Sequence, residues 1–279
     1  MVYQEKAKIV TNKKLTPSIY FLELDMPKIP RLLRPGQFLH IRIGSGVDPL
    51  LRRPFSVNRL RARKKGKGLY VGIVYKVVGK GTRLLKEMAV GEKVDVLGPL
   101  GNGFDINPAV RTNTPILLVC GGMGIAPVLF LSWHLMKYRA AITAFIGAET
   151  KKEIVCVSEL IQLGCDVVIA TDDGSYGYKG YVSQLLKNYL TKPQALIPKP
   201  YIYACGPKPM LKALDGIARK FRLQGQVSLD EMMGCGLGAC LGCVIKVRGF
   251  STTKKKPDIY KRICKDGPVF DITEIDWGK

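Results

Sequence analysis

A buried strand, a glycine turn and a helix follow one another near the middle of the chain, and this succession limits the possible folds most. Ile116 to Cys120 is continuously apolar, Gly121 to Pro127 holds three glycines, and the apolar period from Val128 to Tyr138 predicts a helix. Strand-like and helix-like segments then alternate as far as Gln226. That alternation is typical of a parallel, doubly wound α/β sheet.

The N-terminal part of the chain follows a different pattern. Six strand-like runs lie between Tyr3 and Leu97 and are separated by turn residues, which predicts a small antiparallel β-barrel. One of these runs spans Phe55 to Leu60. A single helix interrupts them and is expected to begin at Thr82 as its N-cap and to end at Met88.

These patterns predict three units. Residues 1–105 are expected to form the antiparallel β-barrel, and residues 106–226 the doubly wound α/β domain, with a linker as far as Thr114. After Gln226 the sheet pattern stops. Residues 227–279 are therefore expected to form a small, separate cysteine-rich domain.

The glycine turn is a candidate phosphate site. It runs Gly122-x-Gly124-x-Ala126-Pro127, which is close to the dinucleotide-binding fingerprint but has proline in place of the third glycine. The glycines permit close backbone approach, and Pro127 suits the first helical turn. The helix N-terminus then offers free N–H groups to a pyrophosphate. The alternative is a tight turn without a ligand.

Two later strands end in turns that suit the same ligand. Cys205-Gly206-Pro207 opens a helix, and Asp172 follows another strand. Ligands of doubly wound sheets lie across the carboxyl ends of the strands, so these turns are expected to line one crevice. An aspartate there accepts a hydrogen bond from a ribose hydroxyl and repels a 2′-phosphate, which favours NAD over NADP. The alternatives are a buried structural cysteine and an ordinary Asp-Gly turn.

The predicted barrel contains two further candidate segments. An arginine pair, Arg52 and Arg53, is followed by a hydroxyl at Ser56 at the start of a strand. Downstream, the segment from Tyr75 to Thr82 brings glycines to a helix N-terminus, which predicts a second anion site. Basic strand edges are common, so the arginine pair has no specific meaning by itself.

Four cysteines near the C-terminus have the spacing of a metal-cluster site. Cys235, Cys240 and Cys243 follow the pattern Cys-x4-Cys-x2-Cys, and Cys264 lies further along. This is the plant-type ligand order for a [2Fe-2S] cluster, and the glycines between the cysteines let the backbone curl around the sulfurs. A zinc knot, ordinary buried thiols and disulfides are the alternatives. Only one CxxC unit is present and no histidine lies near it, which disfavours zinc.

The formal net charge of +22 restricts the partners of this chain. The 44 basic residues are spread along the sequence, and only Arg59 to Lys67 and Lys254 to Lys256 form runs. Neither run carries interleaved aromatics, so we expect no nucleic-acid binding and favour anionic cofactors or an acidic partner protein. No apolar run is long enough to cross a membrane, and Met1 to Val10 lacks a secretory core. We therefore expect a soluble, cytoplasmic protein without membrane association.

The motifs RPFS, GxGT, GPLGNGF, GGMGIAP and CGPKPM occur in this order. Taken together, they resemble the ferredoxin reductase-like superfamily, in which a flavin-binding barrel is paired with a nicotinamide-nucleotide domain. The C-terminal CGxGxCxxC segment, followed by Cys264, narrows the resemblance to the electron-transfer subunits of dihydroorotate dehydrogenase B. The resemblance covers essentially the full chain.

The resemblance implies three cofactors and their sites. FAD is expected to contact Arg53, Pro54, Phe55, Ser56, Tyr75, Lys76, Val77, Gly81 and Thr82. NAD is expected to lie across Gly122, Gly124, Ala126 and Pro127 on one side and Cys205, Gly206 and Pro207 on the other. The [2Fe-2S] cluster is expected on Cys235, Cys240, Cys243 and Cys264. The partner would be an FMN-containing catalytic subunit that oxidises dihydroorotate to orotate, in a heterotetramer with two copies of each chain.

This function needs no acid or base on the chain. NADH moves two electrons as hydride, an iron–sulfur cluster moves one at a time, and a flavin does both, so FAD is the expected junction. His40 and His134 are therefore interpreted as structural or surface residues. We expect no dihydroorotate site on this chain.

Related subunits serve other partners, and these are the alternatives. They occur in NADPH-dependent sulfide dehydrogenase or ferredoxin:NADP oxidoreductase complexes and in cytoplasmic hydrogenases. The first of these types often has aspartate in place of the first cluster cysteine, whereas this chain has Cys235. That difference favours the dihydroorotate dehydrogenase type. A redox-sensing, nucleic-acid-binding protein without flavin is a further alternative of a different class.

Overall fold

The computed structural model describes residues 1–44, 46–63, 68–112, 114–138, 140–248 and 259–278. The basic run Lys254 to Lys256, and the end of the run that starts at Arg59, lie outside these residues. The helices are α1 Lys80–Glu87, α2 Asn107–Arg111, α3 Ile125–Leu135, α4 Val157–Gln162, α5 Val182–Leu190 and α6 Lys208–Phe221. The strands are β1 Tyr3–Lys14, β2 Ile19–Asp25, β3 Phe38–Arg42, β4 Arg53–Ser56, β5 Arg59–Ala62, β6 Leu69–Lys76, β7 Lys93–Leu100, β8 Ile116–Gly121, β9 Ile142–Ala148, β10 Asp166–Thr171, β11 Tyr178–Lys179, β12 Tyr201–Cys205, β13 Gln224–Ser228, β14 Val244–Val247, β15 Ile259–Arg262 and β16 Val269–Asp271.

The first seven strands form one antiparallel sheet in the order β4-β3-β7-β1-β2-β6-β5. The sheet curls, because β4 at one edge contacts β6 near the other. Alternate apolar side chains meet inside the curl and are fully buried, among them Leu22, Leu39 and Ile73. This curled half-barrel confirms the predicted antiparallel class of the N-terminal part.

The run from Phe55 to Leu60 was expected to be one strand, but it is divided between two. β4 pairs with β3, whereas β5 pairs with β6. The chain therefore crosses from one edge of the curled sheet to the other at Val57 and Asn58, where the Asn58 N–H donates to the Gly72 carbonyl at 2.9 Å. The sequence pattern does not reveal such a crossing, since it does not show which neighbouring strand each half pairs with.

Two shorter predictions in this region also differ from the structure. Helix α1 has Gly79 as its N-cap, so Thr82 is the third helical residue and not the N-cap. The side chain of Thr82 still stabilises the start of the helix, because its Oγ1 accepts a hydrogen bond from the N–H of Gly79. The predicted linker to Thr114 contains the short helix α2.

The second sheet has the order β11-β10-β9-β8-β12-β13-β16. All its neighbouring strands are parallel except β13 and β16. Helices α5 and α6 pack on one face and α3 and α4 on the other. This architecture confirms the predicted doubly wound sheet. Its strand order reverses between β8 and β12, which leaves a crevice at their carboxyl ends.

The cysteine-rich segment is tied to the second sheet. β14 and β15 form a two-stranded antiparallel ribbon. β16 then pairs antiparallel with β13, which itself continues two residues beyond Gln226 to Ser228. The sheet pattern therefore does not stop at Gln226, because an edge strand from the far end of the chain completes the sheet.

Among the described residues, none of the helices has the length and apolar character needed to span a membrane.

Candidate electron-transfer site

A cleft of about 890 Å³ lies between the curled sheet and the carboxyl ends of β8, β10 and β12. The sequence-predicted residues Val77, Gly81 and Pro127 do not line it. The other predicted cofactor residues do: Arg53, Pro54, Phe55, Ser56, Tyr75, Lys76, Thr82, Gly122, Gly124, Ala126, Asp172, Cys205, Gly206 and Pro207. The fold thus brings together residues that are far apart in the sequence.

The two adjacent arginines at the start of β4 have different surroundings. Arg53 lines the cleft. A Cβ atom on Gly81 would lie 2.6 Å from the Nε of Arg53, so Gly81 leaves room for this side chain in its present position. Arg52 instead pairs with Asp95 at 2.7 Å and donates to the Asp95 carbonyl at 2.8 Å. Only Arg53 is therefore available to an anion in the cleft.

Aromatic rings form part of the barrel wall of the cleft. Tyr75 packs edge-on against Phe55, with 6.0 Å between ring centroids, and stacks on Tyr20 at 5.7 Å. Its hydroxyl donates to Oδ1 of Asn12 at 3.0 Å. Burial raises the pKa of Tyr75 well above its usual range. Tyr75 is therefore a neutral, fixed ring surface.

Thr82 organises the turn that leads into α1. Its Oγ1 accepts hydrogen bonds from the N–H groups of Val78 and Gly79 at 3.0 and 3.1 Å. This interaction uses the orphan donors that precede a helix. The N–H groups of the first turn of α1 remain free at the end of the helix nearest the cleft, where an anion is favoured.

The glycines of the nucleotide crevice occupy positions that favour glycine for different physical reasons. A Cβ atom on Gly124 would lie 2.0 Å from the Cys205 carbonyl oxygen, and one on Gly206 would lie 3.0 Å from the Gly121 nitrogen. The turns after β8 and β12 therefore touch each other. Gly122, with φ of +51°, has open space above it. Only Gly122 lies where a ligand can approach the backbone closely.

The far end of the crevice is acidic. Asp172 lines it together with Glu149, which the sequence reasoning missed. Burial, with Glu149 and Asp173 nearby, raises the pKa of Asp172 above its usual value. The signal for Glu149 was its place just after β9, at the carboxyl end of a strand beside β10. Two carboxylates at this end disfavour a further phosphate.

An ion pair joins the two walls of the cleft. Nζ of Lys76, on β6, lies 2.5 Å from Oε1 of Glu153, which follows β9. Both side chains are less than one-third exposed and line the cleft. Sequence reasoning singled out Lys76 but not Glu153, because the two residues are 77 positions apart and no local pattern links them.

The four candidate cluster cysteines form two pairs. The side chains of Cys235 and Cys240 contact each other, and so do those of Cys243 and Cys264. The N–H of Cys240 donates to Sγ of Cys235 at 3.5 Å, and the N–H of Cys264 donates to Sγ of Cys243 at 3.4 Å. Main-chain donors around the sulfurs suit a negatively charged cluster.

The thiol environments differ between the two pairs. Burial tends to raise the pKa of Cys235, but N–H donors from Cys240, Leu237 and Ala239 outweigh it and lower the pKa to about 6. Burial and the neighbouring Cys243 raise the pKa of Cys264 to about 12. In the part of the chain that the structure describes, no three Cys, His, Asp or Glu side chains converge on one ion. Two cysteine pairs fit a two-iron cluster better than a single zinc ion.

Met233 connects the cluster segment to the cleft. This side chain is 7 % exposed and lines the cleft, and Cys235 lies two residues further along the chain. Two peptide steps span at most about 7.6 Å between Cα atoms. The first candidate ligand is therefore next to the cleft wall.

His40 lies between the curled sheet and the cluster segment. It is fully buried, and neither ring nitrogen has a hydrogen bond of normal geometry. Burial lowers the pKa of His40, and the main chain of Cys235 and Met233 opposes this shift. The interpretation of His40 as structural or surface did not predict this neighbourhood.

Two family models match the chain in the places that the site geometry suggests. Residues 230–276 match the iron-sulfur cluster binding domain of dihydroorotate dehydrogenase B, and residues 118–215 match the oxidoreductase NAD-binding domain. The electron transfer subunit of dihydroorotate dehydrogenase B (NAD(+)) from Desulforamulus reducens is 38% identical over 271 residues, which are 97% of each chain. The chain belongs to the family of dihydroorotate dehydrogenase B electron-transfer subunits. This membership confirms the resemblance and the predicted oxidoreductase function with iron–sulfur and NAD cofactors.

Solved structures support the same fold. A chain of NADH-dependent reduced ferredoxin-NADP oxidoreductase, described in a study of flavin-based electron bifurcation, is 31% identical with a TM-score of 0.80, and the match covers 98% of this chain and 90% of that chain. A ferredoxin NADP+ reductase from Neisseria gonorrhoeae with bound FAD and NADP is 20% identical, with a TM-score of 0.65 and coverage of 78% and 91%. The second likeness shows the fold alone. Both agree with a ferredoxin reductase-like architecture.

Proposed function

We propose that this dihydroorotate dehydrogenase B electron-transfer subunit carries electrons between an FMN-containing catalytic subunit and NAD, through a [2Fe-2S] cluster and FAD. The observation that carries the proposal is the position of Met233. This residue lines the cofactor cleft and stands two positions before the first cluster cysteine. One continuous segment therefore connects the flavin site with the cluster site.

FAD is assigned to the barrel side of the cleft. Its ring system would lie against the surface that Phe55 and Tyr75 form, and Arg53 would meet its phosphates. Thr82 would hold the turn at the α1 N-terminus. Pro54, Ser56, Lys76, Val77 and Gly81 complete the proposed FAD set, Gly81 acting through Arg53 because it makes room for that side chain.

NAD is assigned to the crevice at the carboxyl ends of β8 and β12. Gly122 would admit its pyrophosphate, since nothing occupies the space above this glycine. Asp172 would accept a hydrogen bond from the ribose and exclude a 2′-phosphate. Gly124, Ala126, Pro127, Cys205, Gly206 and Pro207 shape the rest of the crevice.

The cluster is assigned to Cys235, Cys240, Cys243 and Cys264. When bound, FAD exchanges two electrons with NADH and single electrons with the cluster. The side chains of the cleft would position the cofactors and set their surroundings. They would not act as an acid or a base, because hydride and electron transfer need no proton transfer from this chain. The units that hold FAD, NAD and the cluster are inferred to be residues 1–105, 106–226 and 227–279.

The partner is inferred to be the catalytic subunit of dihydroorotate dehydrogenase B, which would carry FMN and form orotate for pyrimidine biosynthesis. A heterotetramer with two copies of each chain is the proposed assembly. We also infer a cytoplasmic location, because all eight cysteines are free thiols in the structure and the cytoplasm keeps thiols reduced.

Reconstitution with a separately prepared FMN catalytic subunit tests this function. The chain should restore NAD-linked orotate formation from dihydroorotate, and the purified chain should contain flavin, iron and labile sulfide. Coupling to a sulfide dehydrogenase or hydrogenase partner but not to the FMN subunit would refute the assignment. A correctly folded protein that contains the cluster but no flavin and shows salt-sensitive DNA binding would instead support the redox-sensor class.

A second candidate function is a subunit of a ferredoxin:NADP oxidoreductase complex. The observation in its favour is the 31% identity and TM-score of 0.80 to the NADH-dependent reduced ferredoxin-NADP oxidoreductase chain. The presence of Cys235 as first ligand favours the dihydroorotate type. Reduction of NADP by reduced ferredoxin in the presence of the chain's own partner would support this alternative.

A further inference from the structure

His40 points outward from the curled sheet yet is completely buried. Side chains alternate along β3, and Leu39 and Ile41 belong to the core inside the curl. Phe38 and His40 therefore face the other way. Phe38 packs into the cluster of apolar residues that includes Met233, so the cysteine-rich segment covers this outer face of β3.

The ring of His40 touches the first half of the loop formed by residues 233–243, which is called the cluster loop below. A Cβ atom on Gly236 would lie 2.6 Å from Nδ1 of His40, and Gly236 has φ of +71°. Gly236 directly follows Cys235, the first proposed ligand. The backbone next to this ligand is therefore pressed against the imidazole.

The same histidine is fixed to the flavin side of the molecule. In the sheet register His40 is opposite Pro54 of β4, the strand that carries Arg53 and Phe55 into the cleft. Nη1 of Arg52 lies 3.4 Å from the His40 carbonyl oxygen. His40 thus stands between the flavin-binding strand and the cluster loop.

Both ring nitrogens of His40 lack a hydrogen bond of normal geometry among the described residues. A buried polar atom without a partner destabilises the folded state, so the site favours a partner close to the ring. The polar groups near the ring are main-chain groups of the cluster loop at Met233 and Cys235 and of Arg52. The ring nitrogens of His40 are therefore placed to hydrogen-bond with the main chain of the cluster loop and so to hold the loop in position.

We propose that His40 is a positioning residue, which holds the backbone around Cys235 against the flavin-binding sheet by hydrogen bonding and so fixes the cluster relative to the flavin. This inference rests on the proposed function. It concerns His40 as a neighbour of the ligand backbone and assigns it no direct contact with iron. Mutation of side chains that orient metal ligands typically costs about 10–100-fold in metal affinity or activity.

The test uses the full chain loaded with flavin and cluster. His40→Phe keeps a ring of similar shape but removes both nitrogens, and His40→Gln restores an amide that can hydrogen-bond. We expect His40→Phe to bind FAD normally, to shift the midpoint potential of the cluster and to change its electron paramagnetic resonance signal. Electron transfer from NADH-reduced flavin to the cluster should slow by about tenfold or more. His40→Gln should recover most of the wild-type potential.

Ile41→Val provides the matched control. Ile41 lies next to His40 on β3 but faces the core, and the small loss of stability in this variant should leave the cluster signals unchanged. An unchanged midpoint potential in His40→Phe, or a His40→Gln variant no closer to the wild type than His40→Phe, would overturn the proposal. Wild-type protein that binds no cluster at all would instead contradict the proposed function.

A double substitution keeps the proposal testable if His40→Phe loads poorly. Gly236→Ala should reduce cluster retention, because its methyl group meets the imidazole and because the backbone there is left-handed. In a His40→Ala background the new methyl group at position 236 has no imidazole to clash with. If the losses of cluster in the two single variants were independent, they would multiply in the double variant, and we expect the double variant to retain more cluster than that product. Independent losses would show that His40 and the cluster loop are not coupled.

Discussion

The carbonyl oxygen of Cys205 lies 2.0 Å from the position that a Cβ atom would take on Gly124. Cys205 is the last residue of β12 and Gly124 lies in the turn after β8, and these two strands are adjacent in the second sheet. Backbone thus packs directly on backbone where the pyrophosphate of NAD is proposed to bind. Gly124 is required by the contact between the two turns before any ligand arrives.

Gly124→Ala is therefore expected to destabilise the protein even without NAD. Neither backbone can move away easily, so we expect a loss of about 2–3 kcal/mol in the free energy of unfolding. Denaturant unfolding of the NAD-free protein measures this. Gly216→Ala is the matched control, because Gly216 lies within α6 with open space around it. It should be neutral or stabilising by up to about 1 kcal/mol, and equal effects of the two changes would contradict the explanation.

Cys264→Ser is expected to remove or distort the cluster while FAD binding persists. The cysteine pair with Cys243 would lose one thiolate, which leaves one iron incompletely ligated. Iron and labile-sulfide content and the visible spectrum measure the cluster, and NADH oxidation by an artificial acceptor measures the flavin site. Cys165→Ser, a buried thiol in the α/β core, should keep the full cluster. A normal cluster spectrum in Cys264→Ser would show that another residue is the fourth ligand.

Asp172→Ser is expected to increase the use of NADPH. Removal of one carboxylate lowers the repulsion of a 2′-phosphate at the acidic end of the crevice, and we expect kcat/KM for NADPH to rise about tenfold, or about 1.4 kcal/mol. Steady-state kinetics with an artificial electron acceptor measure the change. Asp173→Asn should have a smaller effect, since Asp173 accepts hydrogen bonds from Ser175 and does not line the cleft. An unchanged preference for NADH over NADPH in Asp172→Ser would show that other residues set the nucleotide selectivity.

Cys205 should resist alkylation at neutral pH although it lines the cleft. Burial and the nearby Asp230 raise the pKa of its thiol to about 12, so the reactive thiolate forms only as the pH rises toward that value. Iodoacetamide treatment of the cluster-loaded protein at pH 7 and at pH 9–10, followed by peptide mass spectrometry, measures the modification. Modification should increase with pH and remain low at pH 7. Rapid labelling of Cys205 at pH 7 would show a different environment.

Local sequence patterns predicted much of this molecule. The strand at Ile116 to Cys120 and the alternation of strands and helices after it were predicted, because continuous apolar runs and regular periods leave little freedom there. The cysteine spacing and the glycine turns specified their chemistry in the same way, since ligand order and backbone freedom are properties of a few adjacent residues.

Contacts between distant segments were not predictable in this way. Glu153 meets Lys76 across the cleft, and Phe55 to Leu60 crosses between two edges of one sheet. Each depends on how the sheet curls and how the two sheets face each other. A side chain's partner is fixed only when those long-range arrangements exist.

The sequence by itself determined that this chain has an antiparallel sheet, a doubly wound nucleotide sheet and four cysteines in the order of a [2Fe-2S] site. Only the tertiary structure decided that β16 completes the second sheet and that His40 lies under the cluster loop. The alternation of β3 predicts which side chains face outward, but it does not predict what covers them. That covering comes from the far end of the chain, and burial, not local pattern, gives His40 its place beside Cys235.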